Sequence, residues 1–323
     1  MGAVLVLAAG LTGCGKGQPY LDYERLNRGL VIVLTGIEGR SRLNEDICRG
    51  LDEGGVDCAI ELYDWTPSIP LKQILPPVAL YSQRALSRNR AQAEKLVGRI
   101  ISYQMAYPRC PVVLVGQSGG AAIAAWTAEG MPSNRPLDGV IMLAPSLSPG
   151  YMLDQALMNT RRGIINFYSS RDLFFLALGT TVAGTMDGEH TQSAGRAGFE
   201  VPAAGGKPSC YDKLHQIAWS SKMAETGNYG MHLSSGGAKF VAAYVAPFVK
   251  ARAWNGQFVA SVLNQTSCPP PRANWKAGDR DGRSMRKPRP APPERSNDPD
   301  RPWAPTGPRR LPFVKIKPRP KSP

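Results

Sequence analysis

Ten consecutive residues constrain this chain more than any other stretch: Pro111-Val112-Val113-Leu114-Val115-Gly116-Gln117-Ser118-Gly119-Gly120. Apolar, β-favouring residues run directly into Gly-x-Ser-x-Gly, and a small-residue helical pattern, Ala121 to Trp126, follows at once. That order predicts a buried strand, a sharp turn with a central serine, and a helix, the context in which Gly-x-Ser-x-Gly reads as a nucleophile elbow. The reason for the glycines is steric. A serine on a strained turn crowds the residues two before and two after it, so Gly116 and Gly120 must lack a Cβ. The turn lifts the Ser118 hydroxyl above the sheet and aims the next backbone N–H groups, beginning with Gly119, at the same point.

Strand and helix signals alternate on both sides of this stretch. Leu30 to Leu34 is an apolar run entering a tight Thr-Gly-x-x-Gly loop, Arg40 to Gly50 has helical spacing, and Asp57 to Trp65 reads as a second strand. Thr66 to Val78 is Pro-rich and irregular. Arg84 to Tyr107 is an amphipathic helix whose expected apolar face is Ala91, Ala93, Leu96, Val97, Ile100, Ile101 and Met105. After the elbow come strands at Asp138 to Ala144 and Gly163 to Tyr168, with a helix at Tyr151 to Asn159 between them. A weak strand at Gln216 to Ser220 and a long helix from Leu233 to Trp254, kinked at Pro247, close the body. The pattern predicts an α/β fold: a mostly parallel sheet of about six strands with helices on both faces. Right-handed crossovers then place every loop that follows a strand on one edge of the sheet.

A serine hydroxyl needs a base to take its proton, and the base needs an orienting acid. Three histidines make the search short. His232 stands in a glycine-bearing loop ahead of the closing helix, where a base could reach Ser118; His190 sits in a loose loop, and His215 precedes the weak strand at its wrong end. For the acid, Asp172 follows the strand ending at Tyr168 by four residues, on the same edge as Ser118; an Asx turn or helix N-cap ahead of Leu173 is its alternative role, and Asp154 and Glu189 are weaker candidates. An oxyanion needs two aimed N–H donors. Gly119 supplies one, and Gly36 and Ile37, in the loop after Leu34, are best placed for the other; Glu38 in that loop is a substrate- or Arg-binding candidate. Asp64 and Trp65 are candidates for lining the pocket, with packing the alternative for Trp65.

The elbow Gly116-Gln117-Ser118-Gly119-Gly120, the strand-end Asp172 and the late-loop His232 together resemble the α/β-hydrolase superfamily over residues 30 to 254. The resemblance implies a sheet of eight strands or fewer, a Ser-Asp-His triad, and no cofactor. The expected activity is that of a serine hydrolase, esterase- or lipase-like, taking a small-molecule ester through an acyl-enzyme on Ser118. A thioesterase, amidase or acyltransferase would use the same residues, and a catalytically silent hydrolase fold binding cell-envelope components is the alternative from another class. Two departures stand out. Thr35-Gly36 replaces the His-Gly dipeptide in the first loop, and there is room for only about six strands.

The two ends differ from the body. Residues 1 to 14 read as a lipoprotein-type signal, with Leu11-Thr12-Gly13-Cys14 in the lipobox position but no Lys or Arg ahead of the apolar run; a buried first strand is the alternative. Lipidation at Cys14 implies a membrane-anchored protein of the cell envelope, facing the outside of the inner membrane, with residues 15 to 29 as linker and 30 to 255 as the folded domain. Residues 256 to 323 read as a Pro/Arg/Lys-rich disordered tail. Its last 55 residues hold 15 of the 29 prolines and a net charge of +10 out of +14 for the whole chain. Charge therefore describes the tail, a candidate ligand for anionic cell-envelope polymer. Nucleic-acid binding is disfavoured because the tail lacks an aromatic-interleaved basic platform. Six cysteines have no Cys-x-x-Cys pair and no clustered histidines, so no metal site is expected, and Cys58 and Cys110 read as buried free thiols.

Overall fold

Each core strand is apolar on both sides, which suits a sheet covered on both faces. The computed structural model describes residues 18–67, 84–172, 184–202 and 209–264. Its six strands are β1 (Leu30–Leu34), β2 (Ala59–Tyr63), β3 (Val112–Gln117), β4 (Gly139–Leu143), β5 (Ile164–Tyr168) and β6 (Leu214–Ala218), in the order β2-β1-β3-β4-β5-β6. All neighbours pair in parallel. The fold class is the expected one. Its order reverses at β1/β3, so loops from both halves meet at the carboxyl edge there, the position at which ligands bind in such sheets.

Strand alternation divides the core in two. Leu30, Ile32, Leu34, Val112 and Leu114 face one layer, packed with helices α2 (Leu86–Ala106) and α3 (Gly119–Gly130). Val31, Val33, Val113 and Val115 face the other, against α1 (Arg42–Glu53) and the closing helical stretch. Helix α1 is held at its start by Ser41, whose side chain and backbone exchange hydrogen bonds with Asn44 in a capping box. On the first layer, α2 buries Ala93, Leu96, Ile100 and Tyr103, while Met105 is exposed. The apolar stripe is thus narrower than the sequence predicts, and rotated toward Tyr103.

Three expected boundaries shift. The stretch read as linker is packed from Gln18 onward: Ile60 N donates to Tyr20 O, and the Gln18 amide both accepts from Leu62 N (2.8 Å) and donates to Leu62 O. A side-chain amide here imitates a neighbouring strand and satisfies the exposed edge of β2, which would otherwise offer unpaired groups. The closing helix is broken into a 3-10 turn (Ser234–Gly236), an α segment (Ala238–Phe240), a π segment (Val241–Val245) and a last α turn (Ala246–Lys250). Pro247 has no N–H to give and lies in the first turn of the last segment, so the ladder widens just before it rather than kinking. Finally, residues assigned to the tail begin with helix α5 (Gly256–Leu263), α4 being the short Asp154–Met158. Asn255 caps α5 through Phe258 N, Phe258 meets Phe248 edge-on, and Val262 is buried. Gly256 hides this helix in the sequence because it stands at the first turn.

Strand β6 also starts two residues earlier than expected, which puts His215 inside it. The segments 173–183 and 68–83, the Pro-rich tail and the lipobox cysteine lie outside the described residues. Four cysteines are described, all free: Cys48 and Cys58 are buried, and Cys110 is only half-buried, its thiol directed at Asn27 O. Burial pushes the Cys58 thiol up to about 11, so it is an inert packing group.

Candidate active site

The elbow is as steric reasoning requires. Ser118 has φ 54° and ψ −118°, a positive-φ conformation that a non-glycine residue adopts only under constraint. A Cβ on Gly116 would lie 2.5 Å from Gly120 O, and one on Gly120 would meet the backbone of Leu34 and Thr35. The two glycines let α3 start directly on top of β1 and β3.

Two further loops at the same edge supply partners. His232 Nδ1 lies 2.7 Å from Asp172 Oδ2, and its Nε2 lies 2.8 Å from Ser118 Oγ. All three residues are buried. A carboxylate can only accept, so Nδ1 carries the proton, Nε2 is the acceptor, and the Ser118 hydroxyl donates to it. Asp172 ends a turn closed by its own N–H onto Ser169 O, which carries the carboxylate back over the sheet from the end of β5. The loop holding His232 is built on Asn228, whose Oδ1 accepts from Gly230 N and Ser234 Oγ and whose carbonyl accepts from Trp219 Nε1. The Arg171 guanidinium stacks 4.3 Å above the Trp219 ring and ties this loop to that of Asp172.

The structure brings the three sequence-derived donor residues together as well. A Cβ on Gly119 would touch Ile37 Cγ2 at 2.8 Å, so the β1 exit loop lies directly against the elbow. Trp65 Nε1 donates to Thr35 O at 2.6 Å and its ring lies against Gly119, which fixes that loop from behind. Trp65 is fully buried and acts as packing, whereas Asp64 braces the turn by accepting from Thr66 N and Arg40 N. Among the described residues, the N–H groups of Gly36, Ile37 and Gly119 go to no backbone carbonyl. They remain available for an anionic oxygen above Ser118.

The other candidates fall away. His190 is exposed. His215 points its Nε2 at Trp254 O from within β6, and burial lowers its pKa. Asp154 begins α4, and Glu189 closes a turn on Thr185 through its backbone.

Sequence reasoning missed one hydroxyl. Ser146 Oγ lies 3.1 Å from Ser118 Oγ, and its N–H donates to Ser118 O. Because the Ser118 proton is committed to His232, Ser146 is the donor of the pair and fixes one lone pair of the nucleophile. Ser146 stands where it does because Ala144, at the end of β4, turns the chain at φ 48°. A non-glycine residue gives no sequence sign of a left-handed turn. Met186, also missed, closes the wall: its N–H donates to Ser146 O at 2.7 Å, and its sulfur faces Gly119.

No protein-family model and no curated protein sequence matches the chain. Among solved structures the fold is similar to that of lipase B from Aspergillus fumigatus, at 13% identity and a TM-score of 0.46 over 78% of this chain and 60% of the lipase. It is also similar to a dienelactone hydrolase from Anabaena variabilis (15% identity, TM-score 0.42, 68% of this chain and 83% of that one). A cutinase-like protein from Cryptococcus sp. aligns over 70% of this chain and 94% of its own, with 14% identity and a TM-score of 0.37. This chain therefore spans 60% of the lipase's length. The likeness is one of fold, and the chemistry rests on the site's own geometry.

Proposed function

We propose that the protein is a serine hydrolase that cleaves carboxylic esters through an acyl-enzyme on Ser118. One observation carries this reading: the hydrogen-bonded chain Ser118–His232–Asp172, with links of 2.8 and 2.7 Å, mounted on a strained elbow. Ser118 Oγ attacks the ester carbonyl while His232 Nε2 takes its proton. The carbonyl oxygen becomes an anion facing the N–H of Gly119 and those of Gly36 and Ile37. Collapse expels the alcohol, which receives the proton from His232, and water repeats the sequence on the acyl group to restore Ser118. Asp172 does not itself take the serine proton; it holds the imidazole with Nε2 toward the serine.

A fluorophosphonate probe tests the assignment without knowledge of the substrate. The wild-type protein is expected to be labelled on Ser118 and to release p-nitrophenol from short-chain p-nitrophenyl esters, and Ser118→Ala is expected to do neither. A wild-type protein that stays unlabelled and leaves these esters intact refutes the enzymatic reading. The proposed setting is the cell envelope, with an acyl anchor on Cys14. Labelled palmitate should enter the full-length chain in a bacterial host and be absent from Cys14→Ala; incorporation that survives the substitution overturns the anchor.

A further inference from the structure

The Ser118–His232–Asp172 chemistry leaves one titratable side chain of the site unused. Glu38 follows the two donor residues Gly36 and Ile37, and its loop is folded back by a bond from Gly39 N to Gly36 O. The fold brings the carboxyl over the α-carbon of Gly36, where Glu38 Oε2 occupies the space a Cβ would need. It is half-buried; Ser41 Oγ donates to its Oε1 at 3.4 Å, and its own backbone N–H and the Asn44 side chain also favour the anion. Burial pushes the carboxyl pKa up, and the nearby His232 opposes that shift by favouring the anion, so Glu38 lies within electrostatic range of the base.

A second polar group meets it there. Gln117, the residue before the nucleophile, is fully buried, and neither its Oε1 nor its Nε2 has a hydrogen-bond partner. Its Oε1 comes within 2.7 Å of the same point beside Gly36. A buried amide left unpaired is costly, and both of its polar atoms are closed off from solvent, so the group it faces is the Glu38 carboxyl. A carboxyl backed by a buried amide thus stands beside the donors that face the oxyanion. An anion at this position opposes the charge that develops in the transition state of a plain ester, so it is a poor general device for hydrolysis. It is a good acceptor for a donor attached one bond from the reacting carbonyl.

Building on the hydrolase reading above, we infer that Glu38 selects the acyl group, accepting a hydrogen bond from a hydroxyl or ammonium on the carbon next to the scissile carbonyl. The substrate class is then esters of 2-hydroxy or 2-amino acids, with Glu38 as the specificity-determining residue.

Three esters of one size test this: ethyl propanoate, ethyl lactate and alanine ethyl ester, followed by acid release in a pH-stat at neutral pH. Wild type is expected to favour the latter two. Glu38→Gln, which keeps the shape and removes the charge, should lower kcat/KM for the favoured pair by roughly tenfold and raise it for ethyl propanoate by roughly threefold. Preference for only one of the pair identifies the donor as hydroxyl or ammonium. Ratios between substrates do not depend on how much of the variant folds. If Glu38→Gln changes all three rates by one common factor, Glu38 only supports its loop and the inference is overturned alone. A wild type that hydrolyses none of the three and escapes the fluorophosphonate probe overturns the hydrolase reading, and this inference with it.

Discussion

Asp172→Asn is expected to leave the protein folded and to reduce kcat on a p-nitrophenyl ester by about four orders of magnitude, the scale set by the same change in serine proteases. The cause is a tautomer. Asp172 Oδ2 now accepts from His232 Nδ1 at 2.7 Å, which leaves Nε2 free to take the serine proton. A carboxamide whose NH2 turns toward Nδ1 makes that nitrogen the acceptor and puts the proton on Nε2, where it faces Ser118 Oγ and blocks proton transfer. KM should change little, because Asp172 lies behind the imidazole, away from the substrate. Fluorophosphonate labelling should slow in parallel, since it needs the same activated hydroxyl. The side chain is nearly isosteric, so the thermal midpoint should move by only a few degrees. A variant that keeps more than a tenth of the wild-type kcat assigns the orienting role to another group.

Asp172 and His232 were legible in the sequence for a topological reason. In a parallel sheet with right-handed crossovers, any loop that leaves a strand emerges at one edge, so chemistry-bearing residues after Leu34, Gln117 and Tyr168 converge without any contact being known. The elbow was legible because its constraint is local: two missing Cβ atoms within five residues. The parts that stayed hidden depend on contacts between distant segments. Nothing in Ala144-Pro145-Ser146 marks a left-handed residue that aims a hydroxyl at the nucleophile. Gln18 reads as linker until its amide is seen completing the β2 edge, 44 residues away. The closing helix reads as one amphipathic run, and the π segment at Val241–Val245 arises from fitting Pro247 into a helix that packs on β1, β3 and α1. Glu38 was visible as an oddity in the first loop. Only the fold gives it Gln117 as company.

Gly120→Ala is expected to damage both stability and turnover. The added methyl would run into the carbonyl oxygens of Leu34 and Thr35, the latter at 2.5 Å, and both belong to backbone that cannot rotate away. Relief requires α3 to lift from the end of β1, and both are fully buried at that contact. Overpacking of this kind typically costs about 1–3 kcal/mol, and a clash with backbone on both sides belongs at the upper end of that range or beyond. For a body of this size, about 3 kcal/mol lowers the thermal midpoint by roughly 6–12 °C. Activity should fall further than stability does. The shift separates Gly119 from Ile37, whose contact sets the distance between the two sides of the donor pocket. Gly98→Ala is the matching control. Gly98 lies inside α2 with nothing within 4 Å of its Cβ position, so alanine there should stabilise the helix by about 0.5–1 kcal/mol and leave turnover unchanged. Urea denaturation of the two variants, compared with wild type, should therefore move the midpoint in opposite directions. A Gly120→Ala protein with wild-type midpoint and turnover would show that the elbow tolerates a Cβ, and the steric account of Gly-x-Ser-x-Gly in this chain would be wrong.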